Sequence, residues 1–220
     1  MEKIKKIMLG HIPYNISLVI ITPLKSTFCK LKKILNIEEI YINAFFENCV
    51  FTIDNKDTKG LIILSPQGIS SKDIVELFEN MYIIFFGLAG SLNTNIKIGS
   101  FVEVKAASDE ETDNIKLDTT GELATVKCGY SPCLLGEIAK KYCEIAKCRN
   151  CDVVDMETAY CAKTAIGKNN RFISLLLISD IPNVINFWEI SEEEQKILKQ
   201  ARELAIDKIV NYINIIIRKE

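Results

Sequence analysis

The chain has 220 residues, 48% hydrophobic and 25% charged, with a formal net charge of -2 and a pI near 5.7. That length and apolar content fit one sizeable core in a single domain, and lysines interleaved with acids argue against extensive nucleic-acid binding. No run approaches the roughly 18 apolar residues needed to span a bilayer, and no signal peptide is expected, because the basic residues 1–6 lead into Gly10, His11, Pro13 and Asn15. The protein therefore reads as cytoplasmic.

In chain order, residues 1–15 read as an irregular N-terminal segment and residues 16–220 as one α/β domain. Residues 16–21 predict a strand, and residues 24–35 a helix with Leu24, Phe28, Leu31 and Leu35 on one side. Short strands are expected over 40–46, 49–53 and 61–64. Ser70 or Ser71 caps a helix through Glu79, and 82–86 is a strand leading into a glycine-rich turn. Strands at 101–106 and 123–128 bracket an acidic polar loop at 108–120, followed by a helix at 134–146. The last helix spans 191–217, with Ser191 and Glu194 as its capping box and Leu198, Ala201, Ala205, Ile209 and Tyr212 as its buried stripe. Strands and helices alternate without a Pro- or Ser-rich linker or an internal repeat, which predicts a mixed central β-sheet flanked by helices.

Two carboxylates stand where such an architecture places chemistry. Val153-Val154-Asp155-Met156-Glu157-Thr158-Ala159 reads as a strand end feeding a helix, with Met156, Ala159, Tyr160 and Lys163 along one face and Glu157 in the first turn. A carboxylate there also complements the helix dipole without any catalytic role. Ser179-Asp180 closes the apolar run 172–178, the pattern of a strand buried on both faces, whose carboxyl end is where open α/β sheets bind ligands. The simpler reading of Asp180 is a loop acid before Pro182.

Together with Phe86-Gly87-Leu88-Ala89-Gly90-Ser91-Leu92 and Ile98-Gly99-Ser100-Phe101-Val102, these segments resemble, in order and spacing, the nucleoside phosphorylase/nucleosidase superfamily. That group includes purine nucleoside and uridine phosphorylases, methylthioadenosine/S-adenosylhomocysteine nucleosidases and hopanoid-associated nucleosidases. The likeness spans roughly residues 17 to 217. It implies a phosphorylase/hydrolase-like fold, a homo-oligomer, a small-molecule nucleoside as partner and no cofactor. It also implies cleavage of an N-glycosidic bond, which builds positive charge on the sugar and negative charge on the base. By resemblance, Asp180 protonates the leaving purine. Glu157 accepts hydrogen bonds from the sugar hydroxyls, Met156 packs on the ring, and Gly87, Ala89 and Gly90 let backbone approach base and sugar.

The chain also departs from the family. Where phosphorylases present an arginine and a Ser or Thr to phosphate, it has Phe85 and Leu88. Thr22-Pro23-Leu24-Lys25 echoes the phosphorylase Asp-Pro-Leu-Arg run, which makes Lys25 a candidate anion ligand should phosphate be a second partner. Thr27 aligns with the glutamate that orients water in the methylthioadenosine-type nucleosidases. The Gly-Leu-Ala-Gly form is nearest the hopanoid-associated branch, which favours hydrolysis over phosphorolysis. The competing class is a nucleoside-binding sensor of the same fold that has lost its nucleophile.

Eight cysteines without an export signal read as reduced thiols. Cys143, Cys148 and Cys151 coincide with an iron-sulfur spacing, with Cys161 as a fourth ligand, which defines a third class, a metal- or cluster-binding redox protein. Against it, Cys143 and Cys161 fall on predicted helices and Arg149-Asn150 reads as a helix-to-strand turn, so no metal is expected. One histidine, His11, excludes a His-based triad and a multi-histidine zinc site. Phe187 and Trp188 read as core aromatics, or alternatively as a lid over the base, and Tyr130 carries the same two readings.

Overall fold

The computed structural model describes residues 2–41, 44–53, 58–186 and 188–218. The architecture is mixed α/β, a central sheet flanked by helices. Packing divides the chain into two compact units, residues 1–87 with 157–174, and residues 88–156 with 175–220.

In the first unit, β1 (Ile16–Thr22) runs parallel to β4 (Lys59–Leu64) and to the start of β5 (Tyr82–Ser91), with Ile20 opposite both Ile62 and Ile84. Continuous β-branched and aliphatic runs suit strands covered on both faces, and Val19, Ile20, Ile21, Leu61, Ile62 and Ile63 are fully buried. Beyond β4 lie β3 (Asn48–Thr52) and then β2 (Ile37–Tyr41), both antiparallel. The expected strand at 40–46 is thus displaced towards the N-terminus. Residues 42 and 43 lie outside the described residues, and at 44–46 the chain bends, with the Phe46 N–H donating to the carbonyl of Met8 (2.9 Å). Phe45 and Phe46 stack edge to face there.

Of the N-terminal segment expected to be irregular, residues 10–15 are, but the part before them is helical. Glu2–Leu9 forms helix α1, which buries Leu9 and ends at Gly10, whose φ of 80° is the left-handed conformation a glycine supplies at a helix end. The side chain of Asn48 donates to the Leu9 carbonyl (2.9 Å) and the chain end is thereby tied down. Helix α2 (Lys25–Ile34) buries Thr27, Phe28 and Leu31. The predicted helix through Glu79 is shorter: a 3-10 turn at Gly68–Ser70 leads into α3 (Ser71–Val75). Ser71 does not cap it, because its hydroxyl donates to the Pro66 carbonyl (2.7 Å). Helix α5 (Thr158–Gly167) buries Thr158, Ala159, Cys161, Ala162 and Ala165. The predicted stripe is therefore rotated, with Met156, Tyr160 and Lys163 only half-buried.

In the second unit the strand order is β10 (Arg171–Asp180), β6 (Phe101–Ser108), β8 (Thr125–Tyr130), β9 (Val153–Asp155), β5, with β7 (Ile115–Lys116) paired to β6 within the predicted acidic loop. Strands β6, β8 and β9 are mutually parallel. The end of β5 joins β9 antiparallel, Gly90 opposite Val154, and the end of β10 joins β6 antiparallel, Leu176 opposite Val102. Helix α4 (Gly136–Cys148) packs so closely on β8 that a β-carbon on Gly129 would stand 2.5 Å from that of Ala146. Helix α6 (Glu192–Arg218) opens with the expected reciprocal cap: Glu194 N–H donates to Ser191 Oγ (3.2 Å) and Ser191 N–H to Glu194 Oε2 (2.7 Å). Of its predicted stripe, Leu198, Ala205, Ile209 and Tyr212 are buried and Ala201 is half-buried.

The cysteine cluster is part of a core. Cys143 and Cys151 pack with Ala146 and Val154, against Leu92. The turn between α4 and β9 is made by Arg149 and by Asn150 at φ 56°. Cys148 is exposed, and among the described residues no group of three or more metal-ligating side chains converges. No helix among the described residues is long and apolar enough to cross a membrane.

Candidate active site

Glu157, Gly87, Lys25 and Thr27 belong to the first unit; Met156, Ala89, Gly90 and Asp180 belong to the second.

Glu157 is the residue before α5 rather than part of its first turn, with φ -125° and ψ -46°, and its side chain does not cap that helix. The residue is 5% exposed, and its Oε1 accepts the N–H of Gly68 at 2.6 Å. Gly68 has φ 77°, a conformation that favours glycine and that turns its amide into the carboxylate. Complementing the helix dipole is thus not the whole role of Glu157, since a tertiary contact orients it. Just beyond it, the hydroxyls of Thr158 and Ser174 share a hydrogen bond (2.9 Å) that ties α5 to β10. Sequence reasoning gave Gly68 no role. The Pro66-Gln67-Gly68 turn is a local signal, but nothing local identifies its partner 89 residues away.

Asp180 is the last residue of β10 and half-buried. The hydroxyl of Ser179 donates to Asp180 Oδ1 at 2.6 Å and lies 3.3 Å from the carbonyl of Ala89. Burial raises the carboxyl above its ordinary value of 3.8, against the opposing effect of the Ser179 hydrogen bond. An acid so placed retains its proton to higher pH than a free aspartate. The buried thiol of Cys143 on α4 also feels the charge of Asp180, which, after desolvation, contributes to raising its pKa.

The glycine segment is strand, not turn. Gly87 to Gly90 lie within β5, and neither Gly87 nor Gly90 has positive φ. Gly90 is needed for space: a β-carbon there would stand 2.4 Å from Pro182 Cγ and 3.5 Å from Asp180 Oδ2. The left-handed glycine of this region is Gly99, at φ 84°. Met156 is half-buried, and the preceding Asp155 is buried, accepting the thiol of Cys128 (3.4 Å).

Lys25, exposed at the start of α2, pairs with Glu47, whose other oxygen lies 3.5 Å from Lys32 Nζ. Thr27 is buried at 1% exposure and Phe85 is fully buried, whereas Leu88 is half-buried. Trp188 is 54% exposed and so is not a core residue; Phe187 lies outside the described residues. Tyr130 is buried and stacks edge to face on Tyr142, with centroids 5.9 Å apart, which answers to the packing reading.

No protein-family model and no curated protein matches the chain. Among solved structures it is similar to the 5'-methylthioadenosine/S-adenosyl homocysteine nucleosidase of Campylobacter jejuni, with a TM-score of 0.74 at 14% identity, covering 89% of this chain and 97% of that one. The corresponding Helicobacter pylori nucleosidase gives a TM-score of 0.70 at 14% identity, covering 90% and 98%. A mutant futalosine hydrolase of H. pylori strain 26695 gives 0.68 at 13%, covering 84% and 94%. These structures are members of the nucleoside phosphorylase/nucleosidase superfamily. At such identities the likeness is one of fold, and it agrees with the fold that the sequence motifs imply.

Proposed function

We propose that the protein is an N-ribosyl hydrolase that cleaves the N-glycosidic bond of a purine-type nucleoside. The observation that carries this reading is Asp180, a half-buried carboxyl at the carboxyl end of β10 whose pKa is raised by burial and whose orientation is held by Ser179. In the reaction the C–N bond breaks with its electron pair passing to the base, the Asp180 proton moves to the base, and water adds to the sugar carbon and releases its second proton to solvent, from which Asp180 is reprotonated, giving free base and free sugar. Glu157 accepts hydrogen bonds from the sugar hydroxyls, and Met156 packs on the ring. Water is favoured over phosphate because the apolar Phe85 and Leu88 cannot offset the desolvation of a phosphate dianion. The pairing of Lys25 with Glu47 further supports this choice.

A nucleoside-binding sensor is the second reading, favoured by the burial of Thr27, which sequesters the hydroxyl aligned with the family's water-orienting glutamate. A panel of purine nucleosides incubated with and without phosphate separates the alternatives. Base release with free sugar in phosphate-free buffer supports hydrolysis, and strict phosphate dependence with a sugar 1-phosphate product overturns it. Binding without release under either condition supports the sensor.

A further inference from the structure

We infer that the outward face of helix α1, together with Phe45, docks the protein peripherally on an anionic lipid bilayer. The face lies wholly in the first compact unit, and its role is independent of the hydrolase reading. An ordinary surface helix turns its aliphatic side chains inward and its lysines outward. Helix α1 reverses this. The side chain of Lys5 turns inward, its ammonium 4.9 Å from the centre of the Phe78 ring, while Ile4 and Ile7 are 54% and 61% exposed. Three positions apart, the two isoleucines are neighbours on one face of the helix, away from the buried Leu9. Phe45 adds a third apolar group: the bond from the Phe46 N–H to the Met8 carbonyl (2.9 Å) holds Phe45, 72% exposed, beside the last turn of α1.

The charges beside this strip decide what covers it. Lys3, four positions before Ile7, adjoins it on the helix surface, and Lys6 lies one turn beyond Lys3; both are exposed. A row of positive charge therefore borders the aliphatic row. Glu2 is the only acid in the helix, whereas the chain as a whole carries a net charge of -2, so the excess of positive charge is local to this face. A second copy meeting the strip across a two-fold axis sets the patch against itself, lysines included. An anionic bilayer satisfies both rows together. Ile4, Ile7 and Phe45 enter the boundary between headgroups and acyl chains, and the stems of Lys3 and Lys6 lie along it with their ammonium groups in the phosphate layer. Three apolar groups and two lysines give reversible, salt-sensitive association rather than permanent anchoring.

The test is flotation of the 220-residue chain with vesicles of phosphatidylcholine alone or of phosphatidylcholine mixed with phosphatidylserine, at low and at high salt. The wild type is expected to float with the phosphatidylserine vesicles at low salt, to stay unbound with phosphatidylcholine, and to be released as salt rises. Lys3→Glu combined with Lys6→Glu lowers the partition coefficient by about tenfold or more. Ile4→Ser combined with Ile7→Ser lowers it by about tenfold. Leu204→Ser, at an exposed apolar position on α6, leaves it unchanged. All of these positions are exposed, and thermal melts matching wild type establish that the variants fold. Failure of the wild type to float with phosphatidylserine vesicles at low salt overturns the inference, as does wild-type flotation by either double variant. Concentration-dependent dimerisation in sedimentation velocity, lost in the isoleucine pair and without flotation, overturns it too and assigns the face to a second copy.

Discussion

At the residue scale, Glu157 joins an observed structural bond to a proposed role in sugar binding. Bonded to the Gly68 amide, it anchors the turn before α3, so its removal leaves a buried N–H without that acceptor and costs about 1 to 3 kcal/mol. A dipole partner alone contributes roughly 0.3 to 1 kcal/mol. Glu157→Ala is thus expected to lose stability in urea titration by the larger amount and to lose turnover as well. Glu157→Gln keeps a carbonyl acceptor for Gly68, recovers most of the stability and still turns over poorly; wild-type kinetics in that variant would retire the sugar-binding role. Asp180 behaves in the opposite way. Its folded pKa lies above the ordinary aspartate value of 3.8, so the folded state holds more protons through that interval. The stability contributed by the protonated group is present in acid and lost as pH rises through the folded pKa. Asp180→Asn is therefore expected to be at least as stable as wild type at neutral pH, with the advantage vanishing below the ordinary aspartate range. Its rate on natural purine nucleosides falls by about 10^2 to 10^4, and far less on leaving groups that need no proton. Equal loss on both kinds of substrate would assign Asp180 to positioning.

Between elements, the absence of a side chain is often what is specified. Gly90 admits Pro182 beside β5, and a methyl group there meets the rigid proline ring at 2.4 Å. Gly90→Ala is expected to cost about 1 to 3 kcal/mol as an overpacking substitution and to displace the 181–185 segment that follows Asp180. A crystal structure of Gly90→Ala with that segment unmoved, or an unchanged denaturation midpoint, would contradict this. The amino end of α6 is the contrasting case, written locally: the Ser191 and Glu194 bonds form over three residues. Ser191→Ala should cost about 1 kcal/mol, read by thermal melting, and leave base release unaffected. Elements whose signals are local in this way, such as β1, α2, β10 and α6, are legible in the sequence at nearly their observed bounds. Helix α1 and strand β2 are less so. An eight-residue helix is marginal by itself, and α1 depends on the Asn48 and Phe46 contacts that reach its last turn.

For the molecule as a whole, the phosphate question follows from where side chains finish rather than from which motifs are present. Phe85 is core, Leu88 is apolar and half-buried, and Lys25 is engaged by Glu47. Base release is accordingly expected to be independent of phosphate from zero to millimolar concentration, measured by adenine or hypoxanthine appearance; ribose 1-phosphate among the products would reverse the reading and make Lys25 an anion ligand. The mixed α/β class, the strand carrying Asp180 and the order of the motifs were determined by the sequence alone, because hydrophobic period, capping residues and glycine placement act over a few neighbours. The partner of Glu157, the approach of Ser179 to Ala89, the extended rather than turned course of Gly87 to Gly90 and the burial of Thr27 were decided only by tertiary structure. Each depends on atoms far apart in the chain, Gly68 with Glu157 and Ala89 with Ser179, whose meeting is set by strand register and packing rather than by any local preference.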